Sequence, residues 1–557
     1  MTPADALALL ARERVIEKIG NRDASLWKSE ASHQTLIANS LGWLGVPSWT
    51  RERADDLIAF AEEIRREFDD VVVLGMGGSS LCSEVMRAAF PPRDDWPRLR
   101  VLDSTVPGAV AALERSLDLA RTLFIVASKS GTTTEPLMFQ KYFWDRVRSA
   151  RGEEAGRSFI AVTDPSTQLD REATGDGYRR IFRNPPDIGG RYSALSYFGM
   201  VPAAIAGVDV RALLDRAVAM ANRCLSPADV ASNPAAALGA ALGAAHRQGR
   251  DKVTIVASGA LRGLGLWIEQ LVAESTGKEG KGILPIALEP LEGADSYGTD
   301  RVFVSIGIAE EQHGAENQRL AELEAAGHPV LRRTLSDPLD LGAEFYVWEL
   351  ATAIAGWFLQ INPFDQPNVQ ESKDNTKRLL EEFKSKGSLP SLPRLGGSEG
   401  LEIFGAADRA GGDAAAVLAR LLGSARDGDY VALLAYIPET DARNETFGAI
   451  RSSLMRSLRV ATTLGYGPRF LHSTGQLHKG GPDTGIFIQI TEGAPDDVAI
   501  PGEPFGFATL AAAQAQGDFE ALLSRGRRAV RVQLASVDAG LAQLALAIHT
   551  ALGSVTR

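Results

Sequence analysis

The sequence predicts an α/β protein built on parallel sheets, and three observations carry that prediction. Short apolar runs end in turns rich in glycine and hydroxyl residues, helical spacing follows each turn, and the unit recurs along the chain. Alternation of this kind calls for crossover helices covering both faces of a parallel sheet. At roughly 100–200 residues per domain, 557 residues should build two or three cores.

The elements follow in order. Residues 4–18 and 52–67 carry helical apolar spacing with interleaved charge, so 1–69 reads as a helical N-terminal arm. From Asp70, DVVVLGMGGSS is a buried-strand run that breaks into glycines and serines, and LCSEVMRAAF follows with helical spacing. RLRVLDST, RTLFIVASKSGTTTEP and SFIAVTDPS repeat the pattern and complete a first lobe over 70–210, in which NPPDIGG at 184–190 is a connector. DKVTIVASGALRGLGLW opens a second strand, glycine turn and helix, within a second lobe over 211–383 that also holds a long helical stretch at about 342–360. KSKGSLPSLPRLGGSEG, 384–400, has the composition of a linker. Strand candidates YVALLAYI, TGIFIQIT and AVRVQL place a third α/β region over 401–557.

Charge and cysteine usage narrow the function. The net charge of −11, with no run rich in Lys or Arg to offset it, repels phosphate backbones and anionic lipid. Nucleic acid and membrane surfaces are therefore not expected partners, and a small anionic substrate would need a local pocket of donors. Cys82 and Cys224 make neither a disulfide framework nor a zinc spacing, which suits a reducing compartment. The N-terminus lacks a basic-then-apolar layout, and the apolar stretch at 194–208 is too short for a bilayer and contains Pro202. A cytoplasmic protein is expected.

Two loops carry the binding chemistry. Gly77-Gly78-Ser79-Ser80 at a strand end lets backbone N–H groups approach an anion closely, with a helix N-terminus behind them. A dinucleotide fingerprint needs a sixth-position glycine where Ser80 stands, although Asp103 at the next strand's end could bind a ribose, so a nicotinamide-dependent oxidoreductase stays open at this point. The second loop, Ser128 to Thr134, puts five hydroxyls, Lys129 and Gly131 within seven residues, a density of donors that can surround a phosphate monoester.

VLGMGGSS followed by SKSGTTTEP, then IGGRYSALS, GLWIEQLVAESTGKEGKG and NPFDQPNVQESK, resembles the sugar isomerase domain and specifically the glucose-6-phosphate isomerase family, over about residues 70–380. LGWL near the start is similar to the branch fused to transaldolase. The resemblance implies two three-layer αβα sugar-isomerase lobes, a sugar-phosphate substrate, no metal and no organic cofactor, a homodimer, and interconversion of glucose 6-phosphate with fructose 6-phosphate through an enediol. Such a reaction needs a base that takes a proton from C2 and returns it to C1. Glu274 is the candidate, on a helix expected from about Gly263 to Ser275, with Gln270 one turn earlier on the same face to hold substrate hydroxyls. Arg191, after two glycines, would reach the reacting atoms and stabilise enediolate charge. Lys373 would assist ring opening. Gly78, Ser79, Ser128, Lys129, Ser130, Thr132 and Thr133 would hold the phosphate.

The histidine departs from the family's order. The family's ring-opening histidine follows the glutamate-bearing helix closely, in a segment resembling Leu-His-Ser-x-Gly-Gln, whereas LEPLEGADSYGTDRVFV contains none. The pattern appears downstream as Leu471-His472-Ser473-Thr474-Gly475-Gln476, so His472 is the expected residue, serving its own subunit or a neighbour. His478, six residues on, lies off the same helical face, and a metal pair is not expected. A non-catalytic phosphosugar-binding regulator is the alternative; it predicts loss of the acid–base set, and Glu274, Lys373 and His472 are all present.

Overall fold

The computed structural model describes residues 1–227, 230–309, 314–406 and 411–555. The arm is helical: α1 (Pro3–Arg12), α2 (Val15–Gly20), α3 (Ala31–Ala38), α4 (Val46–Arg51) and α5 (Ala54–Ile64). Thr2 and Asp5 form a capping box that starts α1, satisfying two of the backbone donors a helix start leaves open.

The first lobe runs β1 (Asp70–Leu74), α6 (Leu81–Ala89), β2 (Arg98–Leu102), α7 (Pro107–Arg115), β3 (Thr122–Ala127), α8 (Thr134–Arg151), β4 (Phe159–Thr163), α9 (Gln168–Gly175) and β5 (Arg180–Arg183). Its sheet is wholly parallel in the order β2-β1-β3-β4-β5. β1, β3 and β4 are buried at every residue, which is why they read as continuous runs of Val, Ile, Leu and Phe and not as an alternation. Chain order reverses between β1 and β3, leaving a crevice beyond their C-terminal ends.

The helices α10 (Tyr197–Ile205), α11 (Val210–Leu225) and α12 (Pro234–Arg247) lead into the second lobe: β6 (Lys252–Ala257), α13 (Leu264–Thr276), β7 (Leu284–Ala287), β8 (Arg301–Ile308), α14 (Ala315–Ala325), β9 (Val330–Leu335), α15 (Leu341–Leu359) and α16 (Pro367–Lys386). This sheet, β7-β6-β8-β9, is also parallel. One continuous core joins the arm to helices of both lobes, with Trp43, Trp267 and Trp348 at its centre.

The third region holds β10 (Arg394–Ser398), β11 (Leu401–Gly405), α17 (Ala414–Leu422), β12 (Tyr430–Tyr436), α18 (Asp441–Leu458), β13 (Ala461–Tyr466), α19 (Gly475–Gly480), β14 (Gly485–Glu492), α20 (Phe507–Ser524), β15 (Arg528–Leu534) and α21 (Val537–Ser554). Its sheet, β10-β11-β15-β14-β12-β13, is parallel from β15 to β13 and antiparallel at β10 and β11. It has its own core and is bolted to the second lobe by buried polar bonds. Arg451 of α18 donates to the carbonyls of Ala287 and Leu288, 3.2 and 2.7 Å, and Glu289 accepts from the Thr462 N–H, 2.8 Å, while pairing with buried Arg301.

The linker expected at 384–400 is shorter than its composition suggests. α16 continues through Lys386 and Arg394–Ser398 is a strand, leaving 387–393 between them. The glycines there serve packing: a Cβ on Gly396 would lie 2.3 Å from the Gly412 carbonyl, and Gly400, at φ +76°, turns the β10–β11 hairpin. Among the described residues, no helix is long and apolar enough to cross a membrane.

Candidate active site

The site gathers at the crevice beyond β1 and β3. After β1 the chain makes one 3₁₀ turn, Gly77–Ser79, before α6. Gly77 sits at φ +53°, and a Cβ there would meet Gln270 Nε2 at 2.8 Å and the His472 carbonyl at 2.9 Å. A Cβ on Gly78 would lie 2.0 Å from the Gly190 carbonyl. Three distant segments therefore converge on these glycines because no side chain holds them apart.

The hydroxyl loop after β3 is tied into one cluster. Ser128 Oγ donates to Thr133 Oγ1, 3.2 Å, and Thr132 Oγ1 donates to Ser130 Oγ, 3.1 Å. Ser130 and Thr132 are exposed, Ser79 and Thr133 half-buried, and Ser128 buried. Lys129 differs from the expectation that it faces the anion: its ammonium binds the Asp164 carboxylate, 2.5 Å, and the Pro186 carbonyl, 3.1 Å. It pins the loop to the neighbouring strand end.

α13 presents Gln270 and Glu274 four residues apart, one above the other. Gln270 Nε2 donates to Glu274 Oε2, 3.1 Å, and to the His472 carbonyl, 2.9 Å, while Gln270 Oε1 is buried without a partner. Glu274 is 7% exposed, and its Oε1 lies 3.4 Å from Arg191 Nη1.

Arg191 is also buried, and its donors are spoken for. Nε donates to Ser275 Oγ, 2.8 Å, Nη1 to Gln366 Oε1, 2.9 Å, and Nη2 to the carbonyls of Pro363 and Asp365, 2.8 and 3.0 Å. The sequence predicts a guanidinium reaching the reacting atoms; the structure shows one that clamps the 362–366 segment and meets the site through its charge beside Glu274. Lys278 holds the same segment, donating to the Asn362 carbonyl, 2.8 Å, and to Asp365 Oδ1, 2.6 Å. Burial lowers the Lys278 ammonium to about 8, against the pull of Asp365.

His472 ends a 3₁₀ turn, Arg469–His472, ahead of α19. Its Nε2 lies 3.0 Å from Glu135 Oε1, an oxygen that also accepts from Gln514 Nε2 at 2.6 Å. Thr105 Oγ1 donates in turn to Gln514 Oε1, 2.6 Å. Burial alone would raise the Glu135 carboxyl, but the charges of His472 and Lys373 and the His472 hydrogen bond outweigh it and hold the group below its ordinary value. An ionised acceptor there favours a proton on Nε2, so that the neutral ring has Nδ1 as its available nitrogen. Lys373, exposed on α16, shares a cavity of about 470 Å³ with His472, Thr132, Thr133, Glu135 and Gln514.

Three site residues escape a reading of the sequence: Glu135, Gln514 and Lys278. Glu135 lies inside SKSGTTTEP and Lys278 inside ESTGKEGKG, so position in a motif is a usable signal for both. Nothing in the sequence marks Gln514, on a helix of the third region. Behind the site, Glu269 is raised to about 7 by burial, against the pull of the Ala287 N–H it accepts and of Arg451.

Comparison with known proteins gives the family. The phosphoglucose isomerase family profile matches residues 59–282. A glucose-6-phosphate isomerase of Symbiobacterium thermophilum is 32% identical over 393 residues, covering 62% of this chain and 87% of the relative. This chain belongs to the phosphoglucose isomerase family. A relative of the same name from Parabacteroides distasonis is 30% identical, covering 61% of this chain and 87% of its own. Among solved structures, a hypothetical protein of Thermus thermophilus matches with TM-score 0.57 at 26% identity, covering 67% of this chain and 96% of that one. A glucose-6-phosphate isomerase of Chlamydia trachomatis shares the fold, with TM-score 0.53 at 19% identity, over 69% of this chain and 86% of that one. The phosphoglucose isomerase profile ends at residue 282, so the place of His472 in the site rests on the fold.

Proposed function

We propose that the converged residues carry out a phosphoglucose isomerase reaction by proton transfer within a single chain. The protein is an aldose–ketose isomerase that interconverts glucose 6-phosphate and fructose 6-phosphate. The hydroxyls of Ser79, Ser128, Ser130, Thr132 and Thr133, with the backbone at Gly78, hold the phosphate, and Lys129 fixes the loop that carries most of them. Anchoring the phosphate far from C1 and C2 lets remote binding energy place the reacting carbons.

His472, oriented by Glu135, moves the proton that opens the ring, with Lys373 supplying charge across the same cavity. Glu274 then takes the C2 proton and returns it to C1, while the unpaired Gln270 Oε1 accepts from a sugar hydroxyl. Arg191 stabilises the enediolate by its charge beside Glu274, its N–H groups being held by the protein. The observation that carries the reading is the convergence of Glu274, Gln270 and His472 on the Gly77 turn. His472 meets Glu135 of its own chain, so a homodimer, which we also propose, would not be needed to complete the centre. Net charge supports a small-molecule substrate over nucleic acid, and the free buried cysteines support a cytoplasmic setting.

The test is interconversion of the two sugar phosphates by the purified chain, without added metal, beside Glu274→Gln. Loss of about 10²- to 10⁴-fold in kcat with the variant is the expected result. Wild-type protein that binds sugar phosphate without turnover would instead be a phosphosugar-binding regulator, and a fully active Glu274→Gln would remove Glu274 as the base.

A further inference from the structure

The third region contains a buried cation that, among the described residues, forms no ion pair with a carboxylate. Arg531, in β15, is 9% exposed, and its guanidinium makes one hydrogen bond, from Nε to Gln489 Oε1 at 2.7 Å. Its Nη2 is buried without a hydrogen-bond partner. The carboxylates that influence it pair with other cations: Asp518 through Oδ1 with Lys479 at 2.6 Å, its Oδ2 being buried without a hydrogen-bond partner, and Glu520 with Arg378 and, at 3.1 Å, with Gln516. The Phe519 ring covers one face of the guanidinium, 5.1 Å from its centre. Near it the Tyr436 hydroxyl, 4% exposed as a residue, is likewise buried and unpartnered. A lone buried charge is costly unless something pairs with it, and two orphaned donors in one place ask for an acceptor.

Both residues line a cavity of about 340 Å³ beyond the C-terminal ends of β12 and β14. That is the crevice in which open α/β sheets bind ligands. The opposing walls are mainly apolar, from Val106, Leu389, Ala511, Ala512 and Ala515. Glu492 is the carboxyl among the lining groups; burial raises it above its ordinary value, easing its protonation when an anion enters. The far side of one wall is the active site: Gln514, on the α20 turn that supplies Ala511 and Ala515, donates to Glu135 and accepts from Thr105, the neighbour of Val106.

We propose that this cavity is a second ligand site, taking a small organic carboxylate whose anionic head meets Arg531 Nη2 and the Tyr436 hydroxyl and whose apolar body rests on the alanine wall, and that its occupancy is transmitted to His472 through Gln514. The transmission rests on the catalytic reading given above; the binding does not. A carboxylate fits because a guanidinium edge and a phenol present convergent donors, while the walls suit carbon.

The probe is benzoate, titrated calorimetrically into the full chain with saturating fructose 6-phosphate present. Saturable binding at one site per chain is expected, weakened about tenfold or more by Arg531→Met, the scale of one lost charge-assisted hydrogen bond. Ala512→Leu, at an exposed wall position, should weaken it similarly by filling the cavity. Benzyl alcohol, neutral and of similar shape, should bind about tenfold more weakly or worse. The site is overturned if benzoate fails to saturate, if fructose 6-phosphate displaces it, or if both variants bind as wild type does. Benzoate should also change isomerase kcat, an effect that Gln514→Ala abolishes while still binding benzoate; binding without any change in kcat overturns the transmission. An isomerase-inactive wild type would count against the catalytic reading and leave the calorimetry to decide the site.

Discussion

The two lobes open on the same device and use it differently. β1 and β6 each run into a glycine in the left-handed region, Gly77 at φ +53° and Gly259 at φ +52°, then a single 3₁₀ turn, then a helix. In the first lobe other segments close on the turn itself: its glycines are approached by Gly190, Gln270 and His472. In the second lobe the turn starts a helix whose opposite end carries Gln270 and Glu274 into the first lobe's crevice. A duplicated local geometry fixes where a helix begins; what approaches it from elsewhere in the fold decides which end of the unit does chemistry.

Substitutions can break that contrast. The largest effect should come from what approaches the first turn: His472→Ala is expected to lower kcat/KM by about 10²- to 10⁴-fold, measured from either sugar phosphate. Glu135→Gln, which keeps the shape but removes the carboxylate charge beside the imidazole, should lose less. Next, Gly78→Ala forces a Cβ against the Gly190 carbonyl, and separating those loops by about 1 Å should lower kcat by roughly 10²-fold with the fold retained. An active Gly78→Ala enzyme would mean that the turn does not position the site.

Away from Gln270 and Glu274, effects in the second lobe should appear as stability. The folded Glu269 keeps its proton up to about 7, whereas an unfolded glutamate loses it near 4.5. Its contribution is therefore fully present below pH 4.5 and is lost as pH rises through 7, on the order of 3 kcal/mol across the window. Denaturant unfolding at a series of pH values should show Glu269→Gln lacking that decline. The smallest effect belongs to Gly259→Ala, which should cost about 1 kcal/mol from the left-handed backbone alone and leave turnover within about twofold of wild type. Comparable activity losses in Gly78→Ala and Gly259→Ala would erase the distinction between the lobes.

Legibility in the sequence followed how local each feature is. Buried parallel strands such as Val71 to Leu74 and Leu123 to Val126 announce themselves as apolar runs, and the glycines after them mark the turns. β13, Ala461–Tyr466, was hidden because its buried positions include Thr462 and Thr463, polar residues that interrupt the apolar run. β5 was hidden because Arg180 and Arg183 flank two apolar residues. In the site, the sequence indicated Glu274 and His472 but not how they are linked: Gln270 joins them across 202 residues and Glu135 reaches His472 across 337. Lys129 and Arg191 show the complementary limit. Residue type and motif located both cations, while their carbonyl and carboxylate partners, which set where the charge is spent, lie on other segments.

The distance along the chain between Glu135 and His472 has a consequence for how the molecule comes into being. The phosphate loops and Glu274 are synthesised before the region that carries the imidazole, and that region also completes the first lobe's core, where Ile500, Phe505, Phe507 and Leu510 pack with Val72, Leu74 and Phe124. On the proposed mechanism, turnover would therefore appear only once the third region has docked onto the first lobe. On that mechanism a nascent chain lacking the region would be silent, and enzymatic activity would report its arrival.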